Sequence, residues 1–246
     1  MRFSFTTEPA TFLERPNRFR ITARLHGSGQ VVAAHCPDPG RMRELLIPGA
    51  TVHLSRADAP SAAARKTQYD LRFVEHPQEG ILISLDTRLP NQLFLEGLQQ
   101  GRFPLFQNHR ALRQEVPLPA DGTGPIRSRI DFQLVDAHGM PWWVEVKSIT
   151  LVEAGCGLFP DAPTQRGRRH VLELSHRLAH GERAAVVFIV QRPDAGRVAP
   201  HRATDPAFAQ ALQSAQEAGV VLLAYTCAVT LAEVRLLRPV PVVMEP

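Results

Sequence analysis

The sequence predicts an α+β protein of two domains: a small all-β barrel or sandwich over residues 1–82, followed by an α/β domain over residues 83–246. Short apolar or alternating runs separated by glycine and proline turns fill the first third, a pattern typical of small barrels and sandwiches. After about Leu85, strand-like and helix-like runs alternate, as they do in α/β domains. A chain of 246 residues also exceeds the average domain of about 150 residues.

Five short strands are predicted in the first domain. They are Phe19–Leu25, Gln30–Ala34, Thr51–Leu54, Tyr69–Val74 and Ile81–Leu85. Turn residues separate them, including Gly27–Gly29, Pro37–Gly40 and the Pro48-Gly49 pair. About five strands at this spacing form a closed or nearly closed all-β unit.

Three helices and four strands are predicted in the second domain. The helices are Leu89–Gln100, Thr164–His180 and Pro206–Ala218, each followed directly by a glycine that stops the helix. The strands are Ile130–Val135, Trp142–Thr150, Ala184–Gln191 and Val220–Tyr225. This alternation favours a sheet with helices packed against it.

The basic residues are almost all arginine. The chain has 28 Lys and Arg against 24 Asp and Glu, a net charge of +4, and its only lysines are Lys66 and Lys147. Residues 1–82 hold 11 basic and 8 acidic side chains, so most of the excess lies on the first domain. A mild positive charge permits an anionic partner without requiring one.

The composition also bears on the compartment. No apolar run approaches the roughly 20 residues that span a bilayer, and residues 1–10 lack the apolar core of a secretory signal. The three cysteines, Cys36, Cys156 and Cys227, fit neither a disulfide framework nor a CxxC metal site. The expectation is a cytoplasmic protein with free thiols and no membrane partner.

Two carboxylates and a lysine fall on one predicted hairpin. Asp131 lies on the first strand, and Glu145 and Lys147 lie two residues apart on the second, so these two face the same side. A symmetric hairpin with its midpoint at His138 places Asp131 directly across from Glu145. Adjacent carboxylates repel each other unless a cation lies between them, and hard divalent cations favour such oxygen ligands.

The same spacing is also typical of a solvated strand face with a weak ion pair. Three features favour a metal site instead. Both carboxylates stand between apolar residues, as on central strands, and one of only two lysines falls at this position. In addition, Glu96 on the preceding predicted helix could complete the site.

The predicted helix Thr164–His180 has a basic face. At about 100° per residue, an arc of about 80° collects Arg166, His170, Glu173, Arg177 and His180, while apolar residues gather beside it. One interpretation is that Arg166, Arg168 and Arg169, near the positive helix start, track phosphates. The alternative is a solvated face on which Glu173 pairs with Arg169, Arg177 or both. Asp161, just upstream, either caps the turn or orients the site.

Several motifs together resemble the sugar fermentation stimulation protein (SfsA) family. In the second domain they are Ser128–Phe132, Glu145–Ser148, and Phe159–Ala162 with Thr164, Arg166, Gly167 and His170; in the first they are His35–Pro37 with Gly40–Met42, and Arg65–Thr67. They occur in the family's order over nearly the whole chain.

The resemblance implies an OB-fold barrel followed by a PD-(D/E)xK nuclease-like domain, with DNA as partner and Mg²⁺ or Mn²⁺ as cofactor. By matched position, Asp131 and Glu145 are metal ligands, Lys147 is the catalytic lysine, and Glu96 is the acidic residue of the domain's first helix. His170 and Asp161 also lie in matched motifs. The predicted nucleic-acid contacts are Arg41, Arg43, Lys66, Arg129, Arg166, Arg168 and Arg169.

Two functions remain open on this basis: metal-dependent phosphodiester hydrolysis, and DNA binding without cleavage by a regulatory protein linked to sugar utilisation. A small-molecule metal hydrolase ranks last, because the chain has neither a glycine-rich phosphate loop nor a nucleophile elbow. The chain departs from the family pattern after His35–Pro37, where Asp38 and Pro39 replace Asn and a small hydroxyl residue. A carboxylate there argues against a direct phosphate contact by this loop.

Overall fold

A computed structural model describes residues 1–57, 67–118 and 128–245. The first domain is a barrel of antiparallel strands, closed where its third and fifth strands pair in parallel. Its strands are β1 (Glu8–Asn17), β2 (Arg20–Leu25), β3 (Val31–His35), β4 (Thr51–Arg56), β5 (Tyr69–Glu75) and β6 (Leu82–Ser84). They follow the order β3-β2-β1-β4-β5-β6, so the predicted barrel is confirmed.

Strand β1 is central to the barrel but was not predicted. It pairs with β2 on one side and β4 on the other, and its Ala10 and Phe12 are buried in the barrel core. Pro9 and Pro16 lie near its two ends, and prolines argue against a central strand. The pairing with β2 is irregular between Phe12 and Asn17, which is how the barrel accommodates Pro16 within the strand.

The second domain is built on a six-stranded sheet in the order β15-β14-β12-β9-β8-β7. The three inner strands β9, β12 and β14 are parallel to one another, and the strands toward both edges are antiparallel. Its strands are β7 (Ala111–Pro117), β8 (Arg129–Val135), β9 (Pro141–Ile149), β12 (Arg183–Val190), β14 (Val221–Val229) and β15 (Val234–Val240); β10 (Val152–Glu153), β11 (Cys156–Phe159) and β13 (Arg197–Pro200) form a smaller sheet.

Helices cover both faces of the large sheet. On one face, α1 (Leu89–Gln99) packs Leu93 and Phe94 against Val144 and its neighbours. On the other face, α2 (Gln165–Ala179) and α3 (Pro206–Ala218) pack on Trp143 and its neighbours. Successive residues of β9 therefore contact different layers, as alternation along a strand requires. All three helices lie within a residue of their predicted bounds.

Strands β7, β10, β11, β13 and β15 were not predicted. Strand β7 lies at the sheet edge with six of its seven residues exposed, so it lacks the apolar alternation by which half-buried strands are recognised. The last barrel strand, β6, ends at Ser84, and α1 begins five residues later.

All three cysteines are free and buried. Burial raises the pKa of the Cys36 thiol to about 11 and that of Cys227 to about 12, and it also raises the pKa of Cys156. Within the described ranges, no helix is both long and apolar enough to cross a membrane.

Candidate metal and nucleic-acid site

The β8–β9 hairpin has the register that the sequence predicts. Phe132 pairs with Val144 and Val135 with Pro141, so the pairing is centred on His138. Asp131 and Glu145 occupy the facing positions one step beyond the last pair. At this point Asp131 Oδ2 accepts a hydrogen bond from Val146 N at 2.8 Å. The Asp131 carboxylate therefore accepts the hydrogen bond from Val146 N that a main-chain carbonyl of the neighbouring strand would otherwise accept.

Glu145 is the buried centre of the site. Its side chain is only 4% exposed, and its Oε1 lies 2.5 Å from both Lys147 Nζ and His170 Nδ1. Its Oε2 has no hydrogen-bond partner among the described residues. His170 reaches Glu145 from α2 and is itself 2% exposed. This corrects the grouping of His170 with the exposed basic face of the helix, because its contact with Glu145 turns it toward the sheet.

The two carboxylates respond differently to burial. Burial raises the pKa of Asp131 to about 6, the nearby Glu145 charge acts in the same direction, and the Val146 amide, Lys147 and Asn91 oppose it. For Glu145, burial is again the largest influence and raises the pKa, but Lys147 and His170 together outweigh it and lower the pKa below its usual value. Above about pH 6 both carboxylates of the site are therefore ionised.

Helix α1 contributes an amide rather than a carboxylate to the site. Asn91 Nδ2 donates to Asp131 Oδ1 at 3.1 Å. Glu96, predicted to complete the site with Asp131 and Glu145, instead pairs with the Met1 amino group at 2.9 Å and accepts a hydrogen bond from the Gln100 side chain. Five helical residues separate positions 91 and 96, about 140° around the axis. The prediction that Glu96 completes the site is therefore corrected, and Asn91 is the α1 residue that contacts Asp131.

The donor set fits Mg²⁺ or Mn²⁺. Within residues 1–57, 67–118 and 128–245, no group of three or more His, Cys, Asp or Glu side chains is arranged to hold a metal ion. Mg²⁺, however, is commonly held by one or two carboxylates, with waters and substrate phosphates completing its shell. Asp131 and Glu145 supply two carboxylates, and the unpartnered Glu145 Oε2 is an oxygen still open to a ligand.

Exposed arginines border this site. Arg129 begins β8 two residues before Asp131, and Arg169 on α2 donates to Ser128 Oγ at 3.1 Å, which ties the helix to the start of that strand. Arg166 and Arg168 are exposed on the first turn of α2. Glu173 Oε2 has no hydrogen-bond partner in the described part of the chain.

The start of α2 is fixed by a cap and a glycine. Thr164 Oγ1 accepts from Gly167 N at 2.9 Å, and Thr164 N donates to Asp205 Oδ2 at 2.8 Å. A Cβ at position 167 would lie 2.8 Å from the Thr164 methyl carbon, so glycine is required for this close cap. The Thr-x-Arg-Gly motif therefore sets the direction in which the arginines leave the helix.

Asp161 connects the two domains. Its Oδ2 accepts from Met42 N at 2.7 Å, across the boundary to the loop of the first domain. In that loop Asp38 is buried and accepts from Gly40 N at 2.7 Å, while Arg41 and Arg43 are exposed. The loop thus presents arginines to solvent and keeps its unusual carboxylate inside. Lys66 lies outside the described residues.

The fold and the site define a protein in which a barrel domain is joined to an α/β domain that carries a carboxylate–lysine hairpin. Two family descriptions cover these two parts in turn: "SfsA N-terminal OB domain" matches residues 13–84, and "Sugar fermentation stimulation protein RE domain" matches residues 88–233. The chain belongs to the sugar fermentation stimulation protein family.

Relatives match over nearly their whole length. The sugar fermentation stimulation protein homolog of Moorella thermoacetica is 46% identical over 233 residues, 95% of each chain. That of Acetivibrio thermocellus is 40% identical over 248 residues and covers 100% of each chain. Among solved structures, Pyrococcus furiosus SfsA in complex with Ca²⁺ superposes with a TM-score of 0.83 at 30% identity, covering 98% of this chain and 97% of that one.

Proposed function

We propose that this protein binds DNA and hydrolyses its phosphodiester bonds at a divalent-metal site on the β8–β9 hairpin. The observation that carries the proposal is the row of facing Asp131 and Glu145, with Lys147 Nζ 2.5 Å from Glu145 Oε1. Two comparisons support it: the matching domain is described as an RE domain, and the Pyrococcus furiosus relative was solved in complex with Ca²⁺.

Asp131 and Glu145 are the residues that would hold Mg²⁺ or Mn²⁺. Such a cation supplies positive charge that stabilises the negative charge developing on phosphoryl oxygens. The surrounding residues fix the two ligands: Asn91 and Val146 N each donate to one Asp131 oxygen, and His170 contacts Glu145. Held in this way, the carboxylates need little rearrangement to bind the cation.

Lys147 is the side chain that would act on the phosphate. Its side chain is only 12% exposed, so its ammonium is less strongly hydrated than on the open surface, and it lies beside both carboxylates. An ammonium in this position donates to a phosphate oxygen and stabilises the charge that develops there. Lysine suits this role because its charge is compact, whereas a guanidinium is planar and favours two parallel contacts.

The proposed DNA surface uses the exposed arginines of both domains. Arg129 begins β8, Arg169 ties α2 to the start of that strand, and Arg166 and Arg168 are exposed on the first turn of α2. Arg41 and Arg43 lie on the loop that Asp161 ties to the second domain. Guanidinium groups bind phosphate oxygens in a two-pronged geometry and hold a duplex in register without reading its sequence.

A second candidate is DNA binding without cleavage. It is favoured by one observation: among the residues described, no group of three acidic or imidazole side chains is set to hold a metal. In this candidate the Lys147–Glu145 pair stabilises the domain and the arginines alone determine binding. The two candidates predict different behaviour for the same variants.

The test is a cleavage assay on supercoiled plasmid, linear duplex and single-stranded DNA with Mg²⁺ or Mn²⁺. Loss of one charge-stabilising group typically costs about 100-fold in rate or more, so Lys147→Ala and Asp131→Asn should cut at least about 100-fold more slowly than wild type. Asp136→Asn is the matched control, because Asp136 lies in the turn of the same hairpin, where it accepts from His138 N and Met140 N and pairs with Arg183 rather than with Asp131, Glu145 or Lys147.

If the wild type cuts none of these substrates, or if both variants cut as well as it does, hydrolysis at this site is rejected. DNA binding that weakens steeply with salt and survives Lys147→Ala would then identify the second candidate. Absence of DNA affinity at low salt would remove both.

A further inference from the structure

A third carboxylate lies in line with the first two. On the outer side of β8, Gln114 of β7 pairs with Phe132 and Val116 pairs with Ile130, so Glu115 is the residue that faces Asp131. Glu145 faces Asp131 from β9 on the inner side. Glu115, Asp131 and Glu145 therefore occupy matching register positions on three adjacent strands, and these positions are called the row. The regular pairing of β7 and β8 is interrupted only at this row.

The backbone at Glu115 is left-handed. Its φ is +50°, although the residues on both sides of it pair normally with β8. A non-glycine residue in this region is strained and persists only where its surroundings enforce it. Glu115 is exposed, whereas the side chain of Glu145 at the other end of the row is 4% exposed. The row thus runs from the domain interior to solvent.

We propose that Glu115 supplies the third carboxylate oxygen to the divalent cation held by Asp131 and Glu145, an inference that rests on the proposed function. Residues that face each other on antiparallel strands have Cα atoms about 4.5–5.5 Å apart, within the reach of a glutamate side chain. No group of three or more His, Cys, Asp or Glu side chains within the described ranges is already arranged to hold a metal ion, so Glu115 would reach the cation by turning its side chain toward Asp131. The strand register selects Glu115.

The charges of the row agree with a divalent cation. Three carboxylates exceed the positive charge of the Lys147 ammonium beside them, and a divalent cation offsets this excess. Glu145 Oε2 is buried and lacks a hydrogen-bond partner among the described residues, so a cation bound there would satisfy it. A ligand from the exposed edge would close the shell on the solvent side and leave the remaining positions for waters and a phosphate oxygen.

The test measures Mn²⁺ binding to the full chain by titration calorimetry, together with the melting temperature without metal. Glu115→Gln keeps the shape of the side chain and removes its charge, and Glu115→Gly also removes the backbone strain, because glycine adopts positive φ freely. Both should weaken Mn²⁺ binding about tenfold or more, since even groups outside the ligand shell cost about 10–100-fold. Glu217→Gln, an exposed helix position, is the control and should bind like wild type.

The glycine variant separates a ligand from a merely structural residue. The expected result is an unchanged or raised melting temperature combined with weaker Mn²⁺ binding. If both Glu115 variants bind Mn²⁺ as wild type does, while Asp131→Asn abolishes binding, the role of Glu115 is overturned and the proposed function stands. If wild type shows no Mn²⁺ binding that Asp131→Asn removes, the metal site itself is overturned, and Glu115 with it.

Discussion

At the scale of single residues, burial and neighbouring charges together set the pKa values of the two carboxylates of the site. Asp131 and Glu145 are neighbours, yet burial and the Glu145 charge raise the pKa of Asp131 to about 6, whereas Lys147 and His170 lower that of Glu145. Glu145 is therefore the firmly ionised member of the pair. Asp131 is the member whose ionisation costs the fold stability, and which gains most from a bound cation.

Asp131→Asn should stabilise the protein at pH 8 relative to wild type. The folded pKa of Asp131 exceeds the ordinary value of 3.8, so its contribution to stability is fully present below about pH 4 and is lost as pH rises through about 6. Asparagine can still accept from Val146 N without a charge. The free energy of unfolding in urea should favour the variant by about 1–3 kcal/mol more at pH 8 than at pH 4. An equal difference at both pH values would contradict this.

The residues of the site could be predicted only in part from the sequence. The facing positions of Asp131 and Glu145 follow from hairpin symmetry, and Pro141, which begins β9, does not shift the register. The choice of Glu96 rested on residue type and matched position, but the face that α1 turns to the sheet is set by the packing of Leu93 and Phe94, and this face brings Asn91 to Asp131. Glu115 was not predicted, because no sequence pattern marks its strand register or its positive φ.

At the scale of elements, helix α2 carries both the buried and the exposed parts of the site. It places His170 against Glu145 on the sheet side and Arg166, Arg168 and Arg169 outside. Its first turn is held by the Thr164 cap and by the Asp205 carboxylate at the start of α3. The geometry of the arginines therefore depends on a cap that lies outside the site.

Thr164→Ala should lower the free energy of unfolding by about 1 kcal/mol, because it removes the oxygen that accepts from Gly167 N. Chemical denaturation would measure the loss. Thr164→Ser keeps the hydroxyl and is the matched control, which should lie close to wild type. Equal losses for alanine and serine would show that the threonine methyl, not the cap, is responsible.

The elements themselves were predicted where their pattern is local. The three helices were predicted because apolar spacing and a following glycine define them within the chain. Strand β1 was missed because it contains Pro9 and Pro16, and prolines are rare in central strands. Strand β7 was missed because six of its seven residues are exposed, so it lacks alternating apolar residues. Edge and proline-containing strands are fixed by their neighbours, which lie far away in sequence.

At the scale of the whole molecule, the two domains are joined by hydrogen bonds on both sides of the boundary. Met42 N donates to Asp161, and Ser84 N at the end of the barrel donates to the carbonyl of Gln191 at 3.2 Å. Gly40 lies between the Asp38 and Asp161 carboxylates, where a Cβ would meet an oxygen at 2.8 Å. The arginines of the barrel loop are thereby held in a fixed position relative to those of α2.

The salt dependence of DNA binding should report arginines from both domains. Each phosphate contact contributes about one unit to the slope of log K against log salt concentration. The pair Arg41→Gln and Arg43→Gln should reduce that slope by about two, and so should the pair Arg166→Gln and Arg168→Gln. Fluorescence anisotropy with a labelled duplex measures this, with exposed Arg235→Gln as control. If only one of the two double variants changes the slope, the DNA contacts only the domain that carries that pair.

The three buried cysteines have a practical consequence for watching this molecule work. Maleimide reagents attack an accessible thiolate, and these thiols are both covered and, with raised pKa values, protonated at neutral pH. The native cysteines should therefore not react with the reagent. A single cysteine introduced on the surface would then be the residue that carries the fluorophore or spin label. One label on the barrel and one on α2 would then measure the distance between the two domains in solution, without replacement of any buried cysteine.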